Sequence, residues 1–229
     1  MIPTKEIHVH GYGPMYVPTD TEAHRLDGEA CINEVCGSMY EYDRAAVEDC
    51  YSMLDIGHNI GIASVWAFHW WPQMRTIYAY DPNPGCGELA TKNVKQVLDG
   101  FPHRHVYIHT VAVTSLPVAM FQLDERWGCG YTDHRVVELG DRKPVGEPVQ
   151  VPALHPAELP PADVVKLDAE GVEGEVFEHY KYWGGVTVLL VEWHSHRARE
   201  ALRALATKQG WRHVKNGGDG EKGAECWAR

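Results

Sequence analysis

Three stretches of this chain combine glycines, acids and a histidine at spacings that could do chemistry. In Leu54-Asp55-Ile56-Gly57-His58-Asn59-Ile60-Gly61 an apolar run meets a glycine turn, and in Ile77-Tyr78-Ala79-Tyr80-Asp81-Pro82-Asn83-Pro84 a second apolar run ends on an acid. Much later, Val165-Lys166-Leu167-Asp168-Ala169-Glu170-Gly171-Val172-Glu173 is followed by Glu192-Trp193-His194. Glycines let the backbone turn tightly and approach a ligand with no Cβ in the way. A carboxylate at the end of the following strand can accept hydrogen bonds from both hydroxyls of a ribose, which is the place of Asp81. The turn lacks the G-x-G-x-x-G spacing that seats a pyrophosphate on a helix N-terminus. It starts from Asp55, which repels phosphate and suits a cationic amino-acid ligand.

S-adenosylmethionine carries such an ammonium group, with a sulfonium and a ribose. Methyl transfer from a sulfonium is an in-line displacement, so donor, methyl and acceptor must be held collinear and dry. A hydroxyl acceptor also needs a base within hydrogen-bond reach. Asp168 is the leading choice, at the carboxyl end of a central strand where open α/β sheets bind ligands. Lys166 shares its face two residues earlier, and Glu170 flanks it. Glu173 reads as a helix-capping acid. Glu192 and His194, two apart and on one face, bring an imidazole to the same edge, where it is expected as a general base with a pKa near working pH. Asp168, Glu170, Glu192 and His194 could also coordinate a hard divalent ion. Clustered acids equally serve as caps and ion-pair partners, and the metal-free reading is preferred. His8-x-His10 and His103-x-His105 have no finger-like third ligand and read as surface histidines.

The quoted segments, in this order at successive strand ends, resemble the FkbM family of S-adenosylmethionine-dependent methyltransferases from about Tyr40 to His194. The resemblance implies a Rossmann-like, doubly wound class I methyltransferase sheet, mostly parallel, with an antiparallel C-terminal hairpin at its edge and helices on both faces. It implies O-methylation of a small molecule or sugar. The expected cofactor contacts are Asp55, Gly57, His58, Asn59 and Gly61 at the turn, Asp81, Pro82 and Asn83 after the second strand, and Ala112 and Val113 facing the adenine. Glu41, in a Tyr-Glu pair like one upstream of the family's glycine turn, joins them. The family's leader region helps cover the cofactor.

These residues need elements to hold them. Ile62, Val65, Trp66, His69 and Trp70 recur at helical spacing before Pro72, which predicts a helix packed on the sheet. Asn83 and Pro84 read as cap and first residue of a second helix, with Leu89, Val94 and Val97 on its buried side. Strands are expected near Ser52–Ile56, Thr76–Tyr80, Val106–Val111, Val164–Leu167 and Val186–Trp193. Two more, 118–123 and 149–154, flank a polar surface insertion from Asp124 to Glu147, within an inserted β segment of about 116–155. Residues 1–48 read as a leader and 49–229 as one methyltransferase domain. Trp211–Val214 and Ala224–Trp227 predict the closing hairpin.

Length and charge bound the function. A chain of 229 residues suits one α/β sheet. A formal net charge of -11 argues against general nucleic-acid binding, and His196-Arg197-Ala198-Arg199 with Arg203 reads as the solvated face of a helix. Six cysteines without C-x-x-C or zinc-ribbon spacing suit reduced thiols in the cytoplasm, and no apolar run approaches a membrane span. Two other readings stay open: a nucleotide-dependent oxidoreductase, and a non-catalytic cofactor-binding scaffold subunit. The oligomeric state is not legible.

Overall fold

Strands buried on both faces need apolar side chains at nearly every position, and the Val, Leu and Ile runs of this chain satisfy that. The computed structural model describes residues 3–19, 22–36, 49–123, 134–136, 145–217 and 223–229. An N-terminal hairpin, β1 (Thr4–Val9) and β2 (Gly13–Pro18), leads into α1 (Glu22–Glu34). Then β3 (Ser52–Ile56), α2 (Ile62–Trp70), β4 (Thr76–Asp81), α3 (Pro84–Leu98) and β5 (His105–Thr110) alternate as βαβαβ. Strands β6 (Ala112–Val113), β7 (Ala119–Leu123), β8 (His134–Val136), β9 (Val145–Val151) and β10 (Ala153–Leu154) follow. The chain ends with β11 (Val164–Leu167), α4 (Glu173–His179), β12 (Val188–Trp193), α5 (His196–Gln209), β13 (Arg212–Gly217) and β14 (Gly223–Ala228).

Seven strands make the central sheet in the order β13-β14-β12-β11-β3-β4-β5, parallel from β12 to β5 and antiparallel where β14 joins β12 and β13. The expected doubly wound α/β class with its antiparallel edge is the observed one. Alternation sorts the side chains into two cores. Met53, Val164, Val188 and Leu190 face Val65, Phe68 and Leu89 of α2 and α3, where Met15, Val17 and Ile32 also pack. Leu54, Ile56, Val165, Leu189 and Val191 face Val176, Phe177, Leu202 and Leu205 of α4 and α5. Helices therefore cover both faces.

Local signals explain the boundaries. Asn83 caps α3 by accepting from the Gly85 N–H at 2.9 Å, with Pro84 in the first turn. Ser195 caps α5 through the Ala198 N–H at 3.1 Å, and Gly210, with φ 69°, ends it. At the base of the sheet, Asp163 accepts from the Tyr51 and Ser52 N–H groups and the Ser52 hydroxyl at 2.8–2.9 Å, tying the starts of β3 and β11.

Several expectations need correction. The described part of the leader is a hairpin and a helix, and Met15 and Val17 of β2 are core residues, because β2 packs on α3 and Asn93 bonds the Tyr16 backbone in both directions. His69 is exposed and meets the Tyr12 ring at 4.6 Å instead of packing on the sheet. The 149–154 strand is two elements. β9 pairs antiparallel with β7, while beyond Pro152 the chain joins β6 in parallel as β10. The region expected as a polar insertion holds β8, which pairs with β7. The arginines of α5 are not simply a solvated face, since Arg199 and Arg203 reach buried Glu225 at 2.9 and 3.0 Å. No helix among the described residues is long and apolar enough to cross a membrane.

The closest junction in the sheet is at the ends of β3 and β11. Gly57 has φ 79°, and a Cβ on it would lie 1.7 Å from the Asp168 carbonyl oxygen. The neighbouring strand alone therefore requires a glycine here. Gly57→Ala is expected to lower stability by at least about 2 kcal/mol, from the left-handed conformation plus the backbone clash. Urea unfolding within about 0.5 kcal/mol of wild type would show that the two strand ends are not so close.

Candidate active site

One cavity opens at the carboxyl ends of β3, β4 and β11. Ile56, Gly57 and Asn59 line one wall, Tyr80, Asp81 and Pro82 the next, Val111, Ala112 and Val113 a third, and Asp168, Ala169, Glu170 and Val172 the far end. The strand-end positions follow from the parallel register, which brings Ile56 beside both Tyr80 and Leu167. The short β6–β10 pairing fixes the third wall, with Ala112 and Val113 buried.

Asp81 is 4 % exposed, and its carboxylate also holds the turn together. Oδ2 accepts from the Asn59 N–H and Oδ1 from the Asn83 N–H, both at 2.9 Å. Each oxygen retains a second lone pair for a hydroxyl. Asn59 itself sits at φ 49°, a strained conformation that turns its backbone N–H toward Asp81. Pro82 lines the cavity, whereas Asn83 is spent on the α3 cap.

Below this floor lies a buried ion-pair network. Asp55, fully buried, accepts from the Ser64 hydroxyl at 2.6 Å and lies 3.6 Å from Lys166, its register partner. Lys166 donates to the Gly57 carbonyl and lies 3.4 Å from Asp168. Burial acts to lower the lysine pKa, but Asp168 and Asp55 outweigh it and raise it, so the ammonium is permanent. Asp55 and Lys166, expected at the ligand, do not line the cavity; they hold the strand ends that do. His58 and Gly61 also lie outside its lining. His58 is 2 % exposed with Nδ1 on the Asn59 carbonyl at 2.6 Å. A Cβ on Gly61 would come 2.9 Å from Ala90 Cα, so that glycine serves the approach of α2 to α3. Glu41 lies outside the described residues.

At the far end, His194 draws the acids together. Its Nδ1 is 3.0 Å from Glu173, and Nε2 is 3.2 Å from Glu170, 3.5 Å from Glu192 and 4.0 Å from Asp168. Glu173 is fully buried and also accepts from the Gly171 N–H at 2.9 Å. Burial opposes a charged imidazole, but the hydrogen bond to Glu173, the contact with Glu192 and the charge of Glu170 outweigh it and raise the pKa to about 11. This corrects the expected histidine with a pKa near working pH: without an added cation the ring is an imidazolium. Asp168, with its side chain 26 % exposed, and Glu170, at φ 51°, are the acids that reach the cavity.

Sequence reading missed Ser64, Tyr80 and the bond from Glu173 to His194. Tyr80 was legible as the residue before the strand-end acid; its ring stacks on His109 at 4.9 Å. The Glu173 contact joins residues of two different strand-to-helix turns and has no local signal.

Neither a protein-family model nor a curated protein matches the chain. Among solved structures it is similar to a ribosomal protein L11 methylase from Lactobacillus delbrueckii subsp. bulgaricus, at 12 % identity and TM-score 0.43 over 90 % of this chain and 79 % of that one. A precorrin-6y C5,15-methyltransferase from Geobacter metallireducens GS-15 gives 13 % and 0.39 over 100 % and 93 %. An O-methyltransferase family protein from Burkholderia thailandensis gives 14 % and 0.47 over 91 % and 60 %. Likenesses this faint assign no activity.

Two outcomes follow from the His194 network. His194→Ala strands buried Glu173 without its cation and is expected to cost about 3–5 kcal/mol, measured by denaturant unfolding of folded protein. A loss under about 1 kcal/mol would mean the pair is solvent-screened. The raised pKa also sets a pH window. The imidazolium stabilises the fold fully below its unfolded pKa of about 6.5, and that contribution is lost as pH rises toward about 11. In chelator-treated protein, NMR should find the His194 ring still charged at pH 8; a neutral ring there would overturn the assignment.

Proposed function

We propose that this chain is an S-adenosylmethionine-dependent methyltransferase of FkbM type that methylates a hydroxyl oxygen of a small molecule or sugar. The observation that carries the reading is the position of Asp81. Its buried carboxylate ends β4 inside a cavity flanked by the Gly57–Asn59 turn on one side and by Ala112 and Val113 on the other. With a ribose on Asp81, Gly57 and Asn59 would hold the amino-acid end and Ala112 and Val113 the base.

Asp168 and Glu170 at the far end supply the acceptor side. S-adenosylmethionine held in the cavity would supply the methyl group, and the Asp168 carboxylate would take the proton of the acceptor hydroxyl. His194, in contact with Glu170, Glu173 and Glu192, fixes the acids in place instead of taking that proton. Lys166 sets the height of Asp168 above the sheet through its contact at 3.4 Å. The reading makes the acceptor a small neutral hydroxyl compound and the setting the cytoplasm. Cys36 and Cys50, thiols whose pKa values burial raises to about 11 and about 12, are in keeping with that setting.

A nicotinamide-dependent oxidoreductase fits less well. The turn has no G-x-G-x-x-G, a Cβ on Gly61 would meet Ala90, and the Asp81 carboxylate in the cavity repels a phosphate. A scaffold role would leave the cavity-lining acids Asp168 and Glu170 without use.

Calorimetry should show binding of S-adenosylmethionine and none of NAD. Asp81→Asn removes charge-assisted acceptors worth about 1.5–3 kcal/mol each, so affinity should fall by about one to three orders of magnitude. Because Asp81 also holds the turn, the comparison is made on protein whose melting temperature is recorded. Unchanged affinity in a folded variant would remove the ribose from Asp81.

A further inference from the structure

We infer that Asp168, Glu192 and His194 form a divalent-cation site at the acceptor end of the cavity. One ligand atom from each lies within 4.8 Å of the others. Ligands about 2.1–2.4 Å from a metal stand about 3.0–3.4 Å apart when adjacent and about 4.2–4.8 Å apart when opposed. The observed separations from His194 Nε2, 3.5 Å to Glu192 and 4.0 Å to Asp168, lie between the adjacent and the opposed values, within about 0.2 Å of one or the other.

The histidine supplies the independent observation. Its side chain is 5 % exposed, and Nε2 is buried without a hydrogen bond although carboxylate oxygens surround it. Nδ1 meanwhile faces fully buried Glu173 at 3.0 Å. A ring with one nitrogen held by a carboxylate and the other aimed into acids is the arrangement that orients a metal-bound imidazole. Charge agrees. Among the described residues, Asp55, Asp168, Glu173 and Glu192 gather around Lys166 and His194. A divalent ion takes the place of the proton on Nε2 and offsets the remaining negative charge.

Mixed carboxylate and imidazole donors suit manganese or a similar first-row ion. Asp168 borders the cavity, so an ion it held would lie at the cavity's edge. An ion there would hold an acceptor hydroxyl beside the donor methyl; that role, unlike the binding itself, rests on the methyltransferase reading.

The test titrates Mn²⁺ into the chelator-stripped full chain and follows loss of the free-ion electron paramagnetic resonance signal. A single saturable site is expected, with nitrogen coupling from a directly bound histidine in pulsed spectra. Asp168→Asn and Glu192→Gln should each weaken binding by about tenfold or more, while Glu178→Gln, on the exposed side of α4, should leave it unchanged. Lack of saturable binding in folded wild type, absence of nitrogen coupling, or equal affinity in both folded site variants would overturn the site. Calorimetry of S-adenosylmethionine on the stripped protein is read separately. Cofactor binding without Mn²⁺ binding removes only the metal site, and Mn²⁺ binding without cofactor binding removes only the methyltransferase reading.

Discussion

The buried ammonium of Lys166 is the interaction on which the rest of the site depends. It links Asp55 on β3, the Gly57 carbonyl at the turn and Asp168 at the end of β11. A charge with so little access to water persists only if its partners are fixed. The cost of burying it is therefore offset only in one arrangement of two strand ends. That arrangement makes the cavity: the Gly57 turn passes against the Asp168 carbonyl with no room for a side chain, and Asp168 emerges above the sheet.

A second buried cation at the far end follows the same logic from the other side. His194 stands on β12 while Glu173 begins α4 and Glu170 precedes it, so the imidazole joins the turn after β11 to the end of β12. Lys166 and His194 thus bracket Asp168, the one acid of the group in contact with both. Its place is fixed by electrostatics before any ligand arrives.

The strand ends were legible because they are local. Apolar runs close on Asp81, Leu167 and Trp193, and Asn83 with Pro84 marks a helix start; the structure has β3 and β11 at the expected residues. What the sequence hid is contact between segments distant along the chain. Asp55 looked like a ligand group because nothing local shows Lys166 beneath it, 111 residues on. His194 was legible beside the acids as a base, but its bond to Glu173, which read as a helix cap, joins two different strand-to-helix turns and left no local signal. Pro152 splits a continuous apolar stretch into strands of two sheets, a choice made by the partner β6 and invisible in periodicity.

The pairing of β3 with β11 carries a kinetic consequence. These neighbours are separated by α2, β4, α3, β5 and the whole β6–β10 region, and closing so long a loop delays contact formation. During synthesis the first strands, helices and glycine turn can assemble while Asp55 still lacks its lysine and the floor of the cavity is open. Competence to hold a ligand arrives late and all at once, when β11 inserts beside β3. A ligand that spans Asn59 and Asp168 would act on that last step, slowing the departure of β11 and so the unfolding of the whole sheet.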